Sequence, residues 1–322
     1  MKNKKALKQN IITYGMVIAF WAVIQIMMKT GNLSSLAKGL LVPICMYVIL
    51  AVSLNLTVGI LGELSLGHAG FMCVGAFSGA FFTKVAESAI PSVGVRFFIA
   101  LLIGAAVAGL CGFLIGIPVL RLKGDYLAIV TLAFGEIIKN VVNVVFLGRD
   151  SAGFHVSTKD SMSLGLEPGG QVLIKGPQGI TGTPNDSTFL IGIILILVTL
   201  FIVINLINSR TGRAIMAIRD NPIAAQSVGL NLTKYKLMAF VTSAALAGAA
   251  GALYGLAGFL VGIVSQYALN QNFLGCLICS AAVLAVQEVV RLLAGLFTQI
   301  APIQSLLQVA VPEFLWSLCW MP

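Results

Sequence analysis

Apolar stretches of about twenty residues, nearly free of charge, follow one another along most of this chain, and no other feature constrains its fold as strongly. A run of roughly 18 or more apolar residues spans the hydrocarbon core of a bilayer as a helix. Candidate spans fall at roughly 11–28, 40–60, 66–86, 96–120, 125–147, 188–207, 236–262 and 273–297, with a weaker ninth at about 300–320. Composition agrees with this reading. The 322 residues are 58% hydrophobic and only 10% charged, where a soluble domain carries about 25% charged residues. Mean hydropathy is +1.00. The expectation is an all-α polytopic membrane protein of about 8–9 transmembrane helices, with residues 1–322 forming a single transmembrane domain. The 34 glycines suit close packing of helix backbones. Ala244, Ala245, Ala247, Gly248, Ala249, Ala250, Gly251 and Ala252 form one small-residue run of that kind.

The net charge of +9 does not point to nucleic acid, because the basic residues cap apolar segments and form no stripe. They set topology instead. Lys2, Lys4, Lys5 and Lys8 place the N-terminus in the cytoplasm by the positive-inside rule. No small-residue cleavage site follows, so the first apolar stretch is expected to be a span and not a removed leader. Counting spans from there puts Arg121 and Lys123 inside, residues 148–187 outside as an external loop, and a basic island at 208–235 inside. The external loop is rich in Gly, Pro and Ser; it either meets a soluble delivery protein, caps the pathway or is a plain flexible linker. The six cysteines lie mostly within apolar runs. Cys276 and Cys279 have CxxC spacing without a second pair, so no metal is expected.

The island Arg210 to Phe240 interrupts the apolar pattern, as a sealing helix bundle has no need to do. It reads as helix, break, second helix. Ile215, Ile218, Ala225 and Val228 recur at helical spacing, and Asp220-Asn221-Pro222 is a turn and helix-start signal. Gly229 and Asn231 mark a stop before the next span. Such an island suits a soluble partner gripped on the cytoplasmic side.

Asn55 to Gly75 gathers five glycines, Glu63 and His68 in an otherwise apolar region. It is either a broken helix lining a path or a tight turn between two spans. Glu63 and His68 are either a proton relay or residues of a cytoplasmic turn. Asp125 either complements a helix start or faces the path, and Glu136 and Lys139 either neutralise each other or line it. No nucleophile elbow, phosphate loop or zinc helix occurs, so the chain is not expected to be an enzyme.

These residues carry a resemblance. RLKGDYLAIVTLAFGEIIK at 121–139 closely resembles the "RGDYLAIVTLGFGEI" signature of permeases in branched-chain amino-acid ABC importers. GPQGITG at 176–182 resembles their outer-loop element, and GRAIMAIRDNPIAAQSVG at 212–229 their cytoplasmic coupling segment. KYKLMAF at 234–240 and the stretch Asn55 to Gly75 are similar to further motifs of the family, in the same order. The longer of the two permease subunits is the better match. The resemblance implies a half-transporter in the cell (inner or plasma) membrane. It would pair with a homologous second permease, two cytoplasmic ATPase subunits and an extracytoplasmic substrate-binding protein, within membrane lipid. This chain would bind no cofactor, ATP being used by the partner subunits. The resemblance assigns ATPase coupling to Arg213, Arg219, Asp220, Asn221, Pro222, Ala224, Ala225 and Gly229. The glycine-interrupted, polar segment and the polar residues of the fifth span give a candidate translocation pathway along Gly59, Gly62, Ser65, Gly67, His68, Thr131 and Glu136.

After about Val264 the motif resemblance ends, and residues 265–322 are atypical, through divergence or a single-base frameshift. The alternative function is a proton-coupled secondary transporter of small amino acids or amides, using Glu63, His68 or Glu136. Loss of uptake on deleting an ATPase separates the two. The sequence leaves the substrate open among branched-chain amino acids, amides and urea.

Overall fold

Apolar helices in a bilayer gain little from excluding water from one another, so they associate where small residues let backbones touch. The last described helix is built this way and the rest of the fold is arranged around it. The computed structural model describes residues 2–30, 35–87, 90, 92–122, 125–150, 153–159, 164–165, 171–176, 179–180 and 187–256. The elements are α1 (Lys2–Lys29), α2 (Ser35–Asn55), a π-helical turn (Leu56–Leu61), α3 (His68–Val85), α4 (Val93–Val119) and α5 (Asp125–Val144). Strands β1 (Phe146–Asp150), β2 (Gly153–Ser157) and β3 (Gln171–Lys175) follow, then α6 (Phe189–Asn208), α7 (Arg210–Asp220), α8 (Pro222–Ser227) and α9 (Leu232–Gly255).

Helix α9 packs against α2, α3 and α4 through Ala244, Ala247, Gly248, Ala250 and Gly251, all buried. A Cβ on Gly75 of α3 would strike the Gly248 backbone, one on Gly251 would strike the Met72 carbonyl, and one on Gly104 of α4 would lie 2.9 Å from the Gly75 carbonyl oxygen. Three helices therefore meet backbone to backbone. The small-residue run read from the sequence is this contact.

Five helices among the described residues are long and apolar enough to cross a membrane: Lys38–Leu61, Val93–Val119, Tyr126–Val144, Phe189–Asn208 and Leu232–Gly255. Thr13–Lys29 is a shorter apolar helix. The expected span at 66–86 forms α3, whose polar start and mostly buried surface set it apart from those five. The expected spans at 273–297 and 300–320, and the atypical segment 265–322, lie outside the described residues.

One expectation is corrected. Part of the 148–187 loop is an antiparallel sheet of order β2-β1-β3, with Leu147 opposite Val156 and Ile174. Each strand is only five residues long, too short to show against flanking Gly and Ser, and β3 pairs non-locally across that stretch. The sheet rests on the C-terminal ends of α3 and α5. Ile174 and Ile180 meet Phe77 and Val142, and Arg149 donates to the Val85 carbonyl at 3.1 Å. Helix α7 lies near the other end of α3, against the π-turn. Loop and island thus lie toward opposite ends of α3.

Candidate translocation and coupling site

The glycine-rich segment after Asn55 changes pitch before it ends. Residues 56–61 form a π-helical turn, Gly62 adopts φ +77°, and the chain stays non-helical until His68 opens α3. Left-handed backbone suits glycine, whose missing side chain removes the steric penalty. Gly67 is required for a different reason: a Cβ there would collide with the Thr131 carbonyl of α5. Thr131 fastens the same spot, its hydroxyl accepting from the Leu66 N–H at 3.1 Å while donating to the Ala128 carbonyl at 2.9 Å. Residues 62–67 thus form a short non-helical link between the π-turn and α3.

Behind the break lies a buried polar cluster that joins α2, the π-turn, α3 and α9. Thr57 donates to the Ser243 hydroxyl at 2.8 Å, and Ser243 donates to the Ser53 carbonyl. Ser53 Oγ donates to the Leu50 carbonyl at 2.9 Å. His68 Nε2 stands 3.0 Å from Ser53 Oγ and 3.3 Å from Ser243 Oγ. Both hydroxyl protons are committed to carbonyls, so Nε2 carries the hydrogen and donates. That leaves His68 Nδ1 as a bare acceptor. Nδ1 and the Ser65 hydroxyl are buried without a hydrogen-bond partner among the described residues. Orphaned polar atoms are costly in an apolar medium, and a pair of them beside the break suits water or a polar solute.

The other candidate residues separate from this cluster. Glu63 pairs with Lys236 at the start of α9, while His68 faces Ser53 and Ser243. The two residues have different partners, as a turn reading of Glu63 expects. Glu136 pairs with Lys139 one turn along α5 at 3.6 Å, so neutralisation is the observed arrangement. Gly59 and Gly62 sit against α7, with Arg219 donating to the Gly59 carbonyl at 2.7 Å.

In the island, the Ser209 hydroxyl accepts from Gly212 N–H at 3.1 Å and starts α7. The Asn221 carboxamide accepts from Ile223 and Ala224 N–H at 3.1 and 3.0 Å and starts α8, with Pro222 at its first position. Gly229 turns the chain at φ +87°. Asn231 is a start and not the expected stop: its side chain accepts from Lys234 N–H and caps α9. Ile215, Ile218 and Ala225 are buried as their spacing predicts, but Val228 is 82% exposed, because α8 ends at Ser227 and the helical phase ends with it. Arg213, Asp220 and Ala224 are exposed as well. Replacing Asn221 with alanine is expected to cost about 1 kcal/mol of local stability. Amide exchange at Ile223 and Ala224 would then run about fivefold faster.

Sequence reasoning missed Ser53, Thr57 and Ser243, single hydroxyls on apolar helices, each indistinguishable from a back-bonded serine or threonine until the helices meet. It also missed Ile223, 80% exposed on α8. The signal for Ile223 was present: a large apolar side chain in a polar stretch, off the buried face.

Residues 36–286 match the family described as "Branched-chain amino acid transport system / permease component". The match runs past Val264, where the motif resemblance ends. The "High-affinity branched-chain amino acid transport system permease protein LivM" of Salmonella typhimurium is 37% identical over 219 residues, covering 65% of this chain and 49% of that one. Its Escherichia coli counterpart gives the same identity and coverage. The "Probable branched-chain amino acid transport permease protein LivM" of Methanocaldococcus jannaschii is 27% identical over 255 residues, covering 69% of this chain and 67% of that one. The chain spans about half the length of the two bacterial relatives. No solved structure matches.

Proposed function

Because the chain belongs to the family of branched-chain amino acid transport system permease components, we propose that it is the membrane subunit of an ATP-driven importer of branched-chain amino acids. Membership and its apolar helices make it a multi-pass membrane protein. In the proposal it pairs with a second permease, is driven by two cytoplasmic ATPase subunits, receives substrate from a binding protein outside, and has its N-terminus in the cytoplasm. The hydrolysis of ATP belongs to the partners.

The observation that carries the proposal is the exposed pair Ile223 and Val228, at 80% and 82%. They project from a capped helix and turn that follow Arg213 and Arg219 in the basic island. Large apolar side chains on such a basic, membrane-flanking surface suit a groove on a soluble protein and do not suit lipid. ATP-driven closure of that partner would displace α7 and α8 and switch access to the path, a rigid-body transition between two packed states. The break at Gly62–Gly67, with His68 Nδ1 and Ser65 Oγ open to a donor or acceptor, is the place where a path would run.

Co-purification of the tagged chain from its native membrane tests this. Recovery of two ATPases and a second permease is the expected result. Recovery of the chain alone, with protonophore-sensitive uptake, would replace the importer with a secondary transporter.

A further inference from the structure

Arg219 lies in the segment expected to meet the ATPase, yet its side chain, 40% exposed, is held by acceptors of this chain. Nη1 donates to the Gly59 carbonyl at 2.7 Å, while Nε and Nη2 reach Asp220 Oδ1 at 3.4 and 3.3 Å. The acceptor has a reason to need it. In a π-helical ladder the Gly59 carbonyl would take the N–H of Leu64, but the helix ends at Leu61 and Gly62 turns left-handed. Arg219 replaces that donor. Its stem also occupies the space above Gly62, with Cγ 2.5 Å from where a Cβ would sit.

Two further contacts bind the same pieces. Ile215 of α7, Leu61 of the π-turn and Ala239 of α9 form one buried apolar cluster, with Ile60 and Tyr235 against it. Lys236 of α9 pairs with Glu63 within the break, in a part-buried setting. The π-turn so held continues directly into the buried cluster, through Thr57 to Ser243 and from Ser243 to Ser53 and His68.

Resting on the importer reading, we infer that Arg219 is a positioning residue inside this chain and not a contact to the ATPase: it welds the coupling helix α7 to the π-turn. The block of α7, π-turn and first turns of α9 moves as one body and carries the displacement of α7 to the break and the Ser53–His68–Ser243 cluster. Closely packed elements transmit such shifts as units.

The test uses the assembled complex in proteoliposomes, reading ATPase recovery, ATP hydrolysis and branched-chain amino acid uptake. With Arg219→Ala the ATPases stay bound while uptake per ATP hydrolysed falls about tenfold. Arg219→Lys, which still donates to a carbonyl, recovers most of the loss. Loss of the ATPases with Arg219→Ala, or unchanged uptake per ATP, overturns the inference. Glu63→Lys is a second probe: it lowers uptake, and adding Lys236→Glu restores it. A double variant no better than the single one overturns the weld at that contact. Absence of any ATPase from the unaltered complex overturns the importer reading itself, a failure visible before any variant is made.

Discussion

Ile223→Asp is expected to strip the ATPase from the complex and abolish uptake while the chain remains folded in the membrane. Within the fold Ile223 is 80% exposed, so its replacement removes little internal packing and leaves the Asn221 cap intact. In the proposed complex it enters an apolar groove, and a carboxylate there would be desolvated without a partner. An apolar anchor at the centre of an interface is worth about 2–4 kcal/mol, a weakening of thirtyfold or more. Recovery of ATPase on the tagged chain reads the effect directly. Ile223→Leu, which keeps the apolar surface, should retain both recovery and uptake. ATPase recovery unaffected by the aspartate would mean that α8 is not the docking surface.

Gly251→Val should be strongly destabilising. A Cβ at this position meets the Met72 carbonyl and comes within 3.0 Å of the Ala76 N. Both are backbone atoms of α3, so no rotamer change relieves the clash; α3 and α9 must separate. Overpacking of this kind costs about 3 kcal/mol or more, and the apparent melting temperature in detergent should fall by about 5–10 °C. Gly94→Ala is the control, since nothing lies within 4 Å of a Cβ there. Equal melting of the two variants would show that the α3–α9 contact is not as close as described.

Helices and their approximate limits were legible because hydropathy is a local property: apolar runs at 96–120 and 188–207 became α4 and α6 within a few residues. Caps were equally legible where a short polar side chain serves its own neighbours. Asn221 before Pro222 predicted a helix start from adjacency alone, and the structure shows the two hydrogen bonds that make it. The alanine- and glycine-rich run in α9 announced a close contact, though not with which helix. The sheet after α5 was not legible, since its strands are short and β3 pairs across intervening loop.

The site divides along the same line. The sequence by itself determined that the chain is a membrane-spanning helix bundle, where its polar island falls, and that Asn55 to Gly75 is no ordinary span, because length, charge and glycine content act within one segment. Only the tertiary structure decided that Ser53, Thr57, His68 and Ser243 form one cluster, that Glu63 answers Lys236 rather than His68, and that Arg219 closes on Gly59. Those partners are separated by up to 190 residues. Which polar groups find one another over that distance is set by how the helices pack, and packing is a property of the whole bundle.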